Sequence, residues 1–190
     1  MIEHNVNKLQ NFISGWYLDD LKICDELIKF YKLSKKKYPG VIGDGLDRTK
    51  KSSTDVSLDY QPLWLAYVTE LQKVLDCYKK EYPWCDKFSS WGITETVNIQ
   101  HYAPKEGYFS WHTERSNTVH PAVTRHLVFM TYLNDVTDQG ETEWFHQKIK
   151  IQPKKGLTVI WPADWTFVHR GISSNTQDKY IVTGWLNYLD

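Results

Sequence analysis

The sequence predicts a mainly β protein of the jelly-roll type, with helices confined to its N-terminal part. Three observations predict it. From Trp91 onward, short apolar runs recur between turn-like segments with no helical period among them. The two stretches whose apolar residues keep helical spacing both lie before residue 85. Aromatic residues, which suit strands and pocket walls, make up 15% of the chain, with nine Trp and twelve Tyr. Helices first and strands afterwards argue against alternating β-α units.

Taken in order, Leu21, Cys24, Leu27, Ile28 and Tyr31 fall on one helical face that starts at Asp19, and Asp19 or Asp20 can cap it. Residues 34–55, SKKKYPGVIGDGLDRTKKSSTD, are rich in Gly, Ser and Lys. They read as a solvated loop with a short strand or, in a sharper reading, as a mobile basic flap over a site. A second helix begins near Pro62, and Trp64, Val68, Leu71 and Leu75 mark its stripe up to Tyr82-Pro83. Both helices are expected on one face of a sheet. Strands are then predicted at 97–102, 108–112, 126–133, 142–145, 148–151, 157–161, 166–169 and 180–188. The turns between them carry Gly, Pro, Asn and Asp, as in APKEG, NDVTDQG, QPKKG and SSNTQD. The expected organisation is one domain over 1–190, in which 1–90 supplies helical support and the flap, and 91–190 the jelly-roll core.

Composition narrows the function. A chain of 190 residues is long enough to bury a sizeable core. Its 23 basic and 23 acidic residues cancel, so no basic field favours nucleic acid, and no nucleic-acid partner is expected. Cys24, Cys77 and Cys85 are odd in number and lack CxxC spacing, which argues against a disulfide framework and for a reducing, cytoplasmic setting. The N-terminal MIEHNVNKLQNF is polar and lacks an apolar signal core. No apolar run approaches the roughly 18–20 residues that span a bilayer, so no membrane partner is expected either.

The chemistry gathers at His112-Thr113-Glu114, at the end of a predicted strand. Residues i and i+2 of a strand share a face, so an imidazole and a carboxylate at that spacing can grip one metal ion. His169, read as the end of another apolar strand, is the best third ligand. Two imidazoles and one carboxylate make the facial triad of non-haem iron(II) oxygenases, which leaves open positions for a chelating keto acid and for dioxygen. An HxE triplet alone is weak evidence. Ten residues past His169, however, Lys179 opens the last strand, with Ile181, Thr183 and Trp185 on its face. A lysine entering an apolar barrel is costly unless it meets an anion. Tyr102, which shares a strand face with Asn98 and Gln100, is a second group able to hydrogen-bond a carboxylate.

These motifs carry a resemblance. NIQHYAPKEGYFSWHTE, RHLVFMTYLND, QGETEWF, IQPKKGLTVIW and FVHRGISSNTQDKYIVTGWL, in that order over about residues 91–188, resemble the prolyl 4-hydroxylase-like branch of the 2-oxoglutarate/iron(II) dioxygenases. TKKSSTDVSL, residues 49–58, is similar to the N-terminal region of its small microbial or phage-type members. The resemblance implies a double-stranded β-helix, cupin-like in architecture. It implies iron(II) on His112, Glu114 and His169, and 2-oxoglutarate on Lys179 and Tyr102. It places Arg125, Thr142, Trp144 and Trp185 near the pocket, and Arg115, just past the metal motif, is a further candidate for substrate contact. Two positions depart from the pattern: Glu114 stands where the family usually has Asp, and Gln139 replaces the first Gly of GGET.

The reaction implied is hydroxylation of a C–H bond with succinate and carbon dioxide as co-products. The substrate is a prolyl residue of a peptide or protein by resemblance; another side chain, a free amino acid or a small metabolite fits the same chemistry. A carboxylate ligand fills the position that related halogenases leave to a halide, and a Lys anchor differs from the Arg usual in the nucleic-acid demethylases. The alternative is a cupin-like module that binds metal or another ligand without turnover.

Overall fold

The computed structural model describes residues 2–4, 11–43 and 45–189. Its strands are β1 (Glu3–His4), β2 (Ser14–Tyr17), β3 (Tyr38–Pro39), β4 (Thr54–Ser57), β5 (Trp91–Gly92) and β6 (Asn98–Tyr102), then β7 (Arg125–Tyr132), β8 (Thr142–Trp144), β9 (Ile149–Ile151), β10 (Leu157–Pro162), β11 (His169–Gly171) and β12 (Lys179–Tyr188). The helices are α1 (Lys22–Leu33) and α2 (Gln61–Glu81). Neither helix is long and apolar enough to cross a membrane.

Among the described residues, β1-β2-β10-β7-β12-β6-β4-β3 form one antiparallel sheet, with β5 also on β12, and β11-β8-β9 form a second. From residue 98 the chain winds between them. β6 and β7 lie in the larger sheet, β8 and β9 in the smaller, and β10, β11 and β12 alternate. That winding is the jelly roll expected from the strand pattern and the double-stranded β-helix that the resemblance implies.

Alternation along the strands divides the apolar side chains between two cores. Val128, Met130 and Tyr132 of β7 and Leu157, Val159 and Trp161 of β10 meet Trp144, Ile149 and Ile151 of the smaller sheet. Leu127, Phe129, Ile160 and Val182 face the other way, against Leu27, Tyr67, Leu71 and Val74 of the helices. The Tyr67 hydroxyl is within 2.8 Å of Thr131 Oγ1, which is 2.7 Å from Thr158 Oγ1, so the buried hydroxyls satisfy one another. Asp20 Oδ1 accepts the Lys22 N–H at 2.9 Å as α1 begins.

Residues 1–90 do more than support the barrel. β2 covers the β10 edge, and β4 extends the sheet beyond β6, so the strand edges left by the winding are paired. The segment 108–112 is not a regular strand. It makes single bridges at Lys51–Tyr108 and His112–His169, and both Phe109 and Ser110 donate to the Lys50 carbonyl. It crosses from one sheet to the other and pairs along neither. The 166–169 strand is also replaced: Trp165–Phe167 is a 3-10 turn in which Phe167 N–H bonds Asp164 O at 2.9 Å, and His169 opens β11 rather than ending a strand.

Candidate metal centre

The backbone brings the three candidate ligands together. His112 and His169 exchange both N–H···O bonds, at 3.0 and 2.9 Å, so their imidazoles stand side by side with centroids 4.2 Å apart. Two residues on, Glu114 points back between them, its Oε1 3.6 Å from His112 Nε2 and 3.3 Å from His169 Nε2. One ligand atom from each of the three lies within 4.8 Å of the others.

Hydrogen bonds fix which imidazole nitrogen is free. His112 Nδ1 lies 3.0 Å from Ser110 O, and His169 Nδ1 lies 3.0 Å from Phe167 O. A carbonyl only accepts, so each ring keeps its proton on Nδ1 and turns an Nε2 lone pair inward. The 3-10 turn therefore has a role, since it supplies the carbonyl that orients His169. Tyr108 stacks on His112 at 3.6 Å, and Trp161 meets His169 edge-on at 5.1 Å. Burial, then the neighbouring His169, pushes the His112 imidazole below its ordinary value, towards the neutral form a metal requires. Burial alone would raise Glu114; contacts with His112 and His169 outweigh it and hold the carboxyl well below its usual range. Ionised carboxylate and inward lone pairs together fit a divalent iron.

A cavity of about 480 Å³ opens beside this triad and reaches Lys179, Tyr102, Thr142, Arg125 and Trp185. Lys179 is 4% exposed, and among the described residues its ammonium donates to two neutral acceptors, Gly140 O at 3.0 Å and Ile172 O at 3.4 Å. Burial lowers its pKa to about 8. Buried lysine with inadequate compensation is the electrostatic complement of an anion. The Tyr102 ring lies 5.0 Å from Lys179 Nζ, and its hydroxyl donates to Gln100 Oε1 at 2.7 Å. Burial raises that phenol well above its ordinary value, so it stays a donor.

Two expected pocket residues do not line the cavity. Trp144 is fully buried between the sheets, edge-on to Trp161 at 5.2 Å and stacked beside His169 at 6.0 Å, because its place in β8 turns it into the core. Arg115 does not line the cavity; it is ion-paired with Asp164 beside the loop that carries it. Conversely, Lys51 was not legible as a site residue. It lines the cavity, its side chain 6% exposed and 3.5 Å from Asp55. A lysine in TKKSS has the signature of solvent, and it is the bridge to Tyr108 together with the ion pair to Asp55 that holds it inward. Val41, Ile42 and Gly43 of the 34–55 segment also line the cavity, as the flap reading requires; position 44 lies outside the described residues.

Comparisons with known proteins bear on the family and the fold. Residues 97–187 match the family model of the 2OG-Fe(II) oxygenase superfamily. No curated protein sequence is matched. Among solved structures, the chain is similar to a viral collagen prolyl hydroxylase from Paramecium Bursaria Chlorella virus-1 in complex with 2OG, at 18% identity and a TM-score of 0.66 over 95% of this chain and 98% of that one. It is similar to a Pseudomonas putida prolyl-4-hydroxylase at 12% identity and a TM-score of 0.71, over 94% of each chain. A Trichoplax adhaerens prolyl hydroxylase, in complex with a fragment of hypoxia inducible factor, matches at 15% identity and a TM-score of 0.73, over 94% of this chain and 84% of that one. At such identities the likeness of structures concerns the fold.

Proposed function

We propose that this chain is a 2-oxoglutarate-dependent dioxygenase of the 2OG-Fe(II) oxygenase superfamily, using iron(II) and dioxygen, and that it hydroxylates an unactivated C–H bond, with a prolyl residue of a peptide or protein as the substrate. The observation that carries the reading is the convergence of His112 Nε2, His169 Nε2 and Glu114 Oε1 in one cavity with the buried Lys179. The proline assignment is supported by the structural neighbours, which are a viral collagen prolyl hydroxylase, a prolyl-4-hydroxylase and a prolyl hydroxylase in complex with a peptide fragment of hypoxia inducible factor.

His112, His169 and Glu114 would hold iron(II). When bound with 2-oxoglutarate and dioxygen, the metal supplies the oxidant: one oxygen atom enters the substrate C–H bond, the other enters succinate, and carbon dioxide leaves. The chain's own residues do the rest. Lys179 holds the distal carboxylate of the co-substrate as a buried ion pair, and Tyr102 and Thr142 offer hydroxyls to the same end of the cavity. Glu114 occupies the carboxylate position, which favours hydroxylation over halide transfer. Met130, Trp161 and Ile181 wall the cavity with apolar surface and exclude water. Apart from Lys179 and the metal-site carboxylate, the cavity's Lys51 is matched by Asp55 and its Arg125 by Glu95, which suits a neutral side chain presented within a peptide.

The test is succinate formation in the presence of iron(II), 2-oxoglutarate and dioxygen, measured with proline-containing peptides whose mass is followed for the gain of one oxygen atom. Peptide-stimulated succinate with matching mass gain is expected. Succinate without any dependence on a peptide would move the substrate to another class, and no succinate at all would favour the binding module.

A further inference from the structure

Glu114 is one methylene longer than the aspartate usual in the family, and the structure shows what the extra length meets. Its second oxygen, Oε2, accepts the indole N–H of Trp185 at 2.9 Å, while Oε1 faces both imidazoles. Trp185 is itself held. The Arg125 guanidinium lies 3.6 Å over its ring, and Arg125 grips Glu95 through two bonds of 2.8 and 2.6 Å. Arg125 Nη1 also donates to the Glu114 backbone carbonyl at 2.9 Å, and Asn187 Nδ2 donates to Glu95 Oε1 at 2.9 Å. Contacts from β12 and β7 therefore converge on one oxygen of the ligand, with the indole N–H in hydrogen-bond reach and Arg125 Nη1 further off at 3.8 Å.

We infer that Trp185 is a positioning residue: its N–H reserves Oε2, so that Glu114 offers a metal one oxygen and not two. The inference rests on the reading of the site as an iron and 2-oxoglutarate centre. A flexible glutamate can bind a cation through both oxygens. Doing so would consume a position that the keto acid needs. An aspartate would be shorter by about 1.5 Å, one carbon–carbon bond, and its outer oxygen would fall outside hydrogen-bond reach of the indole. Glu114 and Trp185 thus act as a matched pair, and the indole should matter only when the ligand is glutamate.

The experiment is a double-mutant cycle in 2-oxoglutarate affinity, measured by calorimetry on protein loaded with Co(II), a redox-stable stand-in for iron(II). Wild type, Trp185→Phe, Glu114→Asp and the double variant are compared, with thermal unfolding followed in parallel. Trp185→Phe is expected to weaken 2-oxoglutarate about 10-fold or more beside Glu114, as loss of a hydrogen bond to a charged group would, and less than about 2-fold beside Asp at 114. Equal losses in both backgrounds would mean that Trp185 acts by shape alone and would overturn the inference, as would no loss beside Glu114. If Trp185→Phe does not fold, 3-benzothienylalanine at position 185 keeps the ring outline and deletes only the N–H, with the same two outcomes. A wild type that binds Co(II) but not 2-oxoglutarate overturns the oxygenase reading and this inference with it. One that binds both while the Trp185 variants are silent overturns this inference alone.

Discussion

At the scale of single residues, Lys179 shows how a site can be destabilising until its ligand arrives. Its pKa falls from the ordinary 10.5 to about 8 because burial disfavours the charge. Below pH 8 folded and unfolded chains both carry the proton, and the folded one bears the whole penalty. Between about 8 and 10.5 the unfolded chain binds the proton and the folded one does not, so stability rises with pH; above 10.5 the penalty is gone. Lys179→Met should therefore be more stable than wild type without ligand by up to about 3 kcal/mol at pH 7, an advantage that shrinks as pH rises through that window. Urea unfolding of both proteins at several pH values measures the difference. It also cancels Cys24, whose thiol burial pushes up to about 12 and which favours unfolding above pH 9 in both. The same variant should lose 2-oxoglutarate affinity by roughly 30-fold or more, because a buried charge pair loses one partner. Unchanged affinity would remove Lys179 from the co-substrate site. Lys179 was legible because a lysine opening an apolar alternating strand is anomalous. Lys51 was not, because a lysine among lysines is ordinary until a bridge folds it inward.

At the scale of elements, β12 is the strand on which both cores and the cavity depend. It pairs with β6, β7 and β5, and its cavity face runs Lys179, Ile181, Thr183, Trp185 as the period of two predicts. Gly184 on the opposite face leaves room for Phe129: an added Cβ would lie 2.5 Å from Phe129 Cζ and 2.9 Å from Val97 Cγ2. Gly184→Ala should cost about 1–3 kcal/mol of stability through overpacking, read as a lower denaturant midpoint with little change in slope. A neutral result would show that Phe129 can turn aside. Strands read well where both neighbours in the ladder are regular. They failed at 108–112 and 166–169, where the chain crosses between sheets and makes a local turn, because neither event changes the apolar pattern. The buried face of α2 is wider than the predicted stripe. Leu71 and Leu75 are buried and Trp64 and Val68 pack partly buried against the same core, as expected, while Leu63, Tyr67, Val74 and Tyr78 add to the face. Tyr67 is drawn in by Thr131, and Glu70, also buried, accepts the Asp19 and Asp20 N–H groups at 2.9 and 3.2 Å. Tertiary partners of that kind are invisible to periodicity.

At the scale of the whole molecule, the barrel holds three ligands from two separate backbone segments, and a metal that binds only the folded state should stabilise the whole. At free Co(II) one hundred times its dissociation constant the gain is about 2.7 kcal/mol. For a chain of this length that corresponds to an upward shift of roughly 5–10 °C in the unfolding midpoint. A chelator should reverse the shift, and His112→Ala or His169→Ala should abolish it. A shift that survives both variants would place the metal elsewhere. The jelly-roll winding was legible from the runs that form β6, β7, β8, β9, β10 and β12 and from the turns between them. The contribution of residues 1–90 to the larger sheet was not, since β1, β2, β3 and β4 are two to four residues long; β2 and β4 become strands against β10 and β6, and β1 and β3 pair on their far sides.

The central claim is that this pocket chelates a keto acid on iron(II). Anaerobic titration of the iron(II)-loaded protein with 2-oxoglutarate, followed by visible absorption, tests it most directly. The account predicts a charge-transfer band that saturates with 2-oxoglutarate, weakens in Lys179→Met and is absent in His112→Ala and His169→Ala. Iron binding without any such band would contradict it.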